Sequence, residues 1–224
     1  MTDFSQYADQ WHDNLGPLWT LHQLHAIRCD FIKKHIKLNK QICIDLACGG
    51  GLMTKFMAEH GCLTYGFDLH KELLAIAKAH TKNISPNPVY QSLNLENEQP
   101  NQQADIIIAC EIIEHLNRPI ASFIEMLTSC CNKHGHVIIS SLNKTWLSKT
   151  LGIWLTEEIL HWLPSGTHQH EECIALNELL SLMHENFELV GMQGLSFNPI
   201  TQKFITSQDV SVHYLCCFRK KNGD

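Results

Sequence analysis

The chain has 224 residues, 44% of them hydrophobic, and a formal net charge of −6 at pH 7. That length supports one sizeable core, and its 17 lysines and arginines are scattered rather than striped, which argues against a nucleic-acid partner. Ten cysteines without a C-x-x-C spacing read as buried thiols of a reducing cytoplasm, and the opening "MTDFSQYADQWHD" has no basic stretch leading into an apolar one, so no signal peptide is expected.

Taken in chain order, Phe4, Tyr7 and Trp11 share one face of a helical N-terminus. From about residue 41 to 143, strand and helix patterns alternate. "QICIDLAC" reads as a buried strand, followed by a helix from Leu52 to His60. "CLTYGFDL" is a second strand and "KELLAIAKAHTK" a second helix. "PVYQSLN" and "ADIIIAC" follow as third and fourth strands. "RPIASFIEMLTSCC" is a helix with proline near its first turn, and "GHVIISSLN" is a fifth strand. Residues 144–172 break this rhythm as an apolar insertion before the helix "ALNELLSLMHEN". "FELVGMQGLSFN" and "VSVHYLCCFRK" are expected as antiparallel strands closing the sheet. The alternation predicts an α/β fold with a doubly wound, mainly parallel sheet.

In such a sheet, ligands sit beyond the carboxyl ends of the strands, where strand order reverses. The first strand runs into "IDLACGGG". Gly49 and Gly51 allow close backbone approach, and the N–H groups of the following helix are free to bind a polar ligand. Asp68, at the end of the second strand, is placed to accept both hydrogen bonds of a ribose diol. These features suit a dinucleotide and S-adenosylmethionine alike. However, the G-x-G-x-x-G pattern is absent, and Asp45 lies inside the turn, where it can receive a cationic amino-acid group but serves no purpose beside a pyrophosphate. The acid-x-small-x-Gly-x-Gly spacing resembles motif I of the class I S-adenosylmethionine-dependent methyltransferases. Ala47 stands at the position of the commoner first glycine. Its methyl group is expected to exclude an unusual φ and so to weaken cofactor affinity.

Beyond that motif, "FSQYADQWHD", "LHAIRCDFI", "GFDL", "CEIIEHL", "SSLNKTW", "LPSGTH", "FNPITQKF" and "VSVHY" resemble the ubiquinone-biosynthesis O-methyltransferases. These stretches span nearly the whole sequence. The resemblance implies a Rossmann-like class I methyltransferase fold in one domain over 1–224, with an N-terminal helical lid (1–40) and a helical insertion (144–172). It implies that Arg28 pairs with the methionine carboxylate of the cofactor and that Asp68, with Leu69 beside it, holds the ribose. Asn94 and Leu95 would flank the adenine, and the backbone of Cys110 would face the cofactor. Phe4, Tyr7 and Trp11 are read either as core or as part of the lid. His168 is read either as a loop histidine or as a residue near the acceptor.

"CEIIEHL" begins where the fourth strand ends. If Glu111 opens a helix, Glu114 and His115 follow at i+3 and i+4 on the same face. Two carboxylates and an imidazole could then hold a divalent metal such as Mg²⁺, which would chelate neighbouring phenolic oxygens and supply the phenolate. The alternatives are acids favoured by the helix dipole and His115 acting as a general base without a metal. From Trp146 to Leu163 an amphipathic segment carries three tryptophans. It is read either as a helix capping the core or as a contact with the cytoplasmic membrane face, where a greasy substrate resides.

The expected protein is therefore a cytoplasmic, membrane-peripheral O-methyltransferase. Its substrates would be the phenolic hydroxyls of polyprenylated ubiquinone precursors, 2-polyprenyl-6-hydroxyphenol and 3-demethylubiquinol, and it could work within a quinone-synthesis complex. The rivals are a methyltransferase of another small acceptor and a non-catalytic cofactor-binding scaffold.

Overall fold

A computed structural model of the chain describes residues 7, 9–145, 173–198 and 200–222. Helix α1 (Trp19–His35) is followed by β1 (Ile42–Leu46), α2 (Leu52–Glu59), β2 (Leu63–Asp68), α3 (Lys71–Thr81) and β3 (Val89–Ser92). Then come β4 (Ala104–Cys110), a short 3₁₀ turn (Ile113–His115), α4 (Ile120–Cys130) and β5 (Cys131–Leu142). Helix α5 (Leu176–Met183), β6 (Phe187–Asn198), β7 (Lys203–Ser207) and β8 (His213–Lys220) complete the described elements. The strands form one sheet in the order β3-β2-β1-β4-β5-β8-β6-β7. The pairs from β3 through β5 are parallel, and those joining β5 to β8, β8 to β6 and β6 to β7 are antiparallel.

Period-2 alternation sorts the strand residues onto two covered faces. In β4, Ile106 and Ile108 pack with Cys43, Phe31, Ile32 and Met57 under α1 and α2. Ile107 and Ala109 turn the other way, joining Ile44, Val137, Phe123, Leu127 and Leu179 under α4 and α5. Ile106, Ile107 and Ile108 are all fully buried, each contributing roughly 2 kcal/mol of hydrophobic stabilisation. A central strand with both faces covered needs such a continuous apolar run, which is why "ADIIIAC" is so legible.

The order β2-β1-β4 places the topological switch between β1 and β4, so the turn after β1 and the residues after β4 open onto one crevice. The antiparallel strand β8 enters from its own N-terminal end at that same edge, with His213 opposite Leu142 and Leu215 opposite Ser140. Two details differ from the sequence expectation. Strand β5 begins at Cys131, directly at the end of α4, rather than at Gly135, and a register irregularity against β4 at Ala104/Ile106 accommodates the early start. Strand β7 is an edge strand with no buried residue, and so has no hydrophobic alternation to announce it.

Candidate active site

Strand β1 delivers its last residues into a turn built on left-handed backbone. Ala47 has φ +53°, Gly49 +53° and Gly51 +82°. Gly51 caps the N-terminus of α2, and a Cβ there would lie 2.8 Å from both Ala77 Cβ and Tyr90 Oη, so only glycine fits. Ala47 corrects the sequence expectation: its methyl group does not exclude the unusual φ. The alanine takes the left-handed conformation at a cost of about 1 kcal/mol, offset by the buried turn around it.

The N-terminal segment lies on this turn. A Cβ on Gly49 or Gly50 would fall 2.4 Å or 2.3 Å from the Trp11 indole, so the ring is seated where side chains are missing. His12 Nε2 donates to Gly50 O at 2.9 Å, and His22 Nε2 donates to Trp11 O at 3.0 Å. Burial lowers the His12 pKa to about 4, which keeps the imidazole neutral. Tyr7 packs against the Trp11, Leu18 and Leu73 cluster; Phe4 lies outside the described residues.

Carboxylates from several elements meet the crevice, each with its own set of donors. Asp45, on β1, is 3% exposed and accepts a hydrogen bond from Thr54 Oγ1 of α2 at 2.5 Å. Burial pushes its pKa up to about 7, more than the Thr54 bond pulls it down. Asp68, at the end of β2, accepts Gly49 N–H at 2.9 Å on one oxygen and His70 N–H at 2.8 Å on the other. It thereby ties the glycine turn to the start of α3.

Glu111 follows β4. Its Oε1 accepts from Arg28 Nη2 at 2.6 Å, Ser140 Oγ at 2.6 Å and His213 Nε2 at 2.8 Å. Burial alone would raise its pKa, but the charges of His213 and Arg28 and the bonds from His213 and Ser140 outweigh burial and hold the carboxyl well below its usual range.

The helical premise for "CEIIEHL" does not hold. Glu111 has φ +52° and stands before the 3₁₀ turn, its N–H bonded to Ser140 O at 2.9 Å as a continuation of the strand ladder. The physical reason is the set of donors from α1, β5 and β8 that converge on its side chain. Glu114 lies inside the 3₁₀ turn, 3% exposed, and accepts from Ser141 Oγ at 3.0 Å. Burial and the neighbouring Glu111 charge push its carboxyl well above the usual range. His115 closes the turn half-buried. Among the described residues, no group of three His, Cys, Asp or Glu is gathered to hold an ion.

The remaining expected residues line the same edge. Leu69 is 45% exposed just past β2. Asn94, after β3, donates its N–H to Glu98 Oε2 at 2.6 Å and accepts Glu96 N–H at 3.1 Å on its side-chain oxygen, and Leu95 is buried. Cys110 is partly exposed, its thiol pushed up to about 11 by burial. His168 and the segment from Trp146 to Leu163 lie outside the described residues. The sequence reading missed Ser140, Ser141, Thr54 and His213. A signal existed for the serines, as two polar residues ending an apolar strand at the ligand edge; His213 had no such local signal.

Comparison with known proteins adds a family match, two relatives and two solved structures. Residues 20–190 match the family model described as a methyltransferase domain. The chain is 33% identical to the ubiquinone biosynthesis O-methyltransferase of Methylococcus capsulatus, over 97% of this chain and 92% of that protein. It is 32% identical to that of Idiomarina loihiensis, over 97% and 90%. Among solved structures, magnesium protoporphyrin IX methyltransferase from Synechocystis with bound SAH superimposes with a TM-score of 0.70 at 16% identity, covering 98% of both chains. The N-methyltransferase NodS from Bradyrhizobium japonicum, in complex with S-adenosyl-L-homocysteine, gives 0.61 at 14% identity, covering 95% of this chain and 92% of that one. At such identities the two structures speak for the Rossmann-like fold alone.

Proposed function

The chain belongs to the ubiquinone biosynthesis O-methyltransferases, an S-adenosylmethionine-dependent family, and from that premise we propose that it methylates phenolic oxygens of polyprenylated precursors, 2-polyprenyl-6-hydroxyphenol and 3-demethylubiquinol. What supports the reading is the convergence of Asp45, Asp68, Arg28 and the Glu111–Glu114 pair at the carboxyl ends of β1, β2 and β4.

Asp45 receives the cofactor's ammonium group, Arg28 its carboxylate and Asp68, with Leu69 alongside, its ribose. Asn94 and Leu95 flank the adenine, Ala47 and Gly49 allow the backbone approach, and the Cys110 backbone faces the cofactor. The segment carrying Trp11 closes over the turn. The acceptor's hydroxyl meets the acid cluster, and His115 takes the phenolic proton, an imidazole being able to accept one near neutral pH. The oxygen then attacks the methyl carbon in line. The S–CH₃ bond breaks as the O–CH₃ bond forms, and sulfur keeps the electron pair, leaving a neutral thioether.

A divalent ion fits this donor set in one respect. Glu114 Oε1 is buried with no hydrogen-bond partner, beside a second carboxylate, an arrangement that a proton or a cation must balance. Glu111 and Glu114 would hold the ion, with His115 next to them in sequence. When bound, it would align the phenolic oxygens and lower the cost of their giving a proton to His115.

The membrane part of the proposal rests on the sequence pattern of residues 146–163. No helix among the described residues is long and apolar enough to cross a membrane. The test is methyl transfer from labelled S-adenosylmethionine to a short-chain 2-prenyl-6-hydroxyphenol and to unprenylated catechol, with and without chelator. A labelled methyl ether formed faster on the prenylated acceptor is expected, with loss in chelator and recovery on adding Mg²⁺. Equal rates on both acceptors would overturn the substrate class, activity indifferent to chelator would overturn the ion, and cofactor binding without turnover would favour a scaffold.

A further inference from the structure

Strand β8 carries into the crevice a histidine that the reaction above does not use. His213 is 5% exposed, and its Nε2 stands 2.8 Å from Glu111 Oε1. An ionised carboxylate only accepts, so Nε2–H is the donor. The same oxygen holds Arg28 Nη2 at 2.6 Å, and Ser140 Oγ approaches it at 2.6 Å. The Arg28 guanidinium is thus fixed at one nitrogen by Glu111, and Glu111 is fixed in turn by His213 and Ser140. Arg28 is 3% exposed, yet its Nε has no hydrogen-bond partner. A buried guanidinium with a donor to spare is arranged for a second carboxylate, since its planar fork binds such a group through two N–H bonds at once.

We propose that His213 is a positioning residue for the cofactor: by clamping Glu111 Oε1 it aims the Arg28 guanidinium so that its spare N–H meets the methionine carboxylate of S-adenosylmethionine. This rests on the reading of Arg28 as the carboxylate ligand. With Nε2 committed to Glu111, the effect of His213 on the cofactor passes through Arg28. Its effect is geometric, because a small misplacement of a charged clamp weakens every interaction that depends on its direction.

The test compares two ligands by calorimetry without acceptor. S-adenosylmethionine carries the amino-acid arm with its carboxylate, whereas 5′-methylthioadenosine shares the adenosine and lacks that arm and the sulfonium charge, so Arg28→Met serves as the control that assigns the difference to the carboxylate. His213→Leu fills the same space without a donor and is expected to weaken S-adenosylmethionine about tenfold, the scale of one lost hydrogen bond to a charged group, while leaving 5′-methylthioadenosine unchanged. His213→Gln restores a donor at similar reach and is expected to recover most of the affinity. Equal weakening of both ligands would mean general damage to the fold and would overturn the proposal, as would unchanged affinity for both. Arg28→Met separates the two layers of the argument. If it too leaves the ratio of the two affinities unchanged, the reading of Arg28 fails. If it changes the ratio while His213→Leu does not, only the role of His213 fails.

Discussion

Asp45 and Glu111 sit near the carboxyl ends of neighbouring strands, the first buried and the second half-buried, and their pKa values shift in opposite directions. Asp45 has one hydroxyl donor and no cation in hydrogen-bond contact, so burial wins and its pKa rises to about 7. Glu111 is half-buried with Arg28, His213 and Ser140 around one oxygen, so the partners win and its carboxyl is held well below the ordinary range. The difference teaches that burial alone does not decide the charge of an acid in this crevice; the donors arriving from other elements do. It also suits the proposed roles. An acid without a cation can accept one from the cofactor, while an acid already paired serves as a fixed anchor.

The most severe way to break the comparison is to remove the anchor. Glu111→Ala leaves the buried Arg28 cation without its ion-pair partner, and a loss of about 4 kcal/mol in unfolding free energy is expected by urea titration. Methyl transfer should fall with it.

A smaller effect is expected at Asp45, and it depends on pH. Its folded pKa lies above the unfolded value, so the folded protein holds the proton more tightly, and stability falls as pH rises from about 4 to about 8. Asp45→Asn removes that slope. The substituted protein should come close to the wild type near pH 4 and exceed it by roughly 3.5 kcal/mol near pH 8, as read by denaturant unfolding at each pH. The same proton gives a binding signature: if Asp45 must ionise to receive the ammonium group, cofactor affinity tightens as pH rises towards and past 7.

The smallest expected effect sharpens the geometry next to Asp45. Ala47→Gly relieves the left-handed strain and should stabilise the protein by up to about 1 kcal/mol, seen as a higher urea midpoint with an unchanged slope. A loss of stability instead would mean that the methyl group's packing outweighs its strain.

The parallel half of the fold was legible because its strands are apolar runs covered on both faces, and the motif residues Asp45 and Asp68 announced their places at strand ends. The apolar residues of β6 and β8 were also readable as closing strands. The edge strand β7 was not, since nothing it carries is buried. The acid cluster was legible in its membership but not in its shape. Glu111 looks like the first residue of a helix until Arg28, Ser140 and His213 are placed around it, and those lie 83, 29 and 102 residues away along the chain. The place of His213 is fixed by its pairing opposite Leu142, a long-range register that no local pattern encodes. Ala47 shows the reverse error, in which a local rule about alanine was overridden by the turn that surrounds it.

The contrast between the two acids can be read directly by carbon-13 NMR of the side-chain carboxyl carbons, titrated in the cofactor-free protein and assigned with Asp45→Asn and Glu111→Gln. The account predicts a midpoint near 7 for Asp45 and a Glu111 resonance that stays ionised down through the ordinary carboxylate range. Both carbons titrating together in that ordinary range would contradict it.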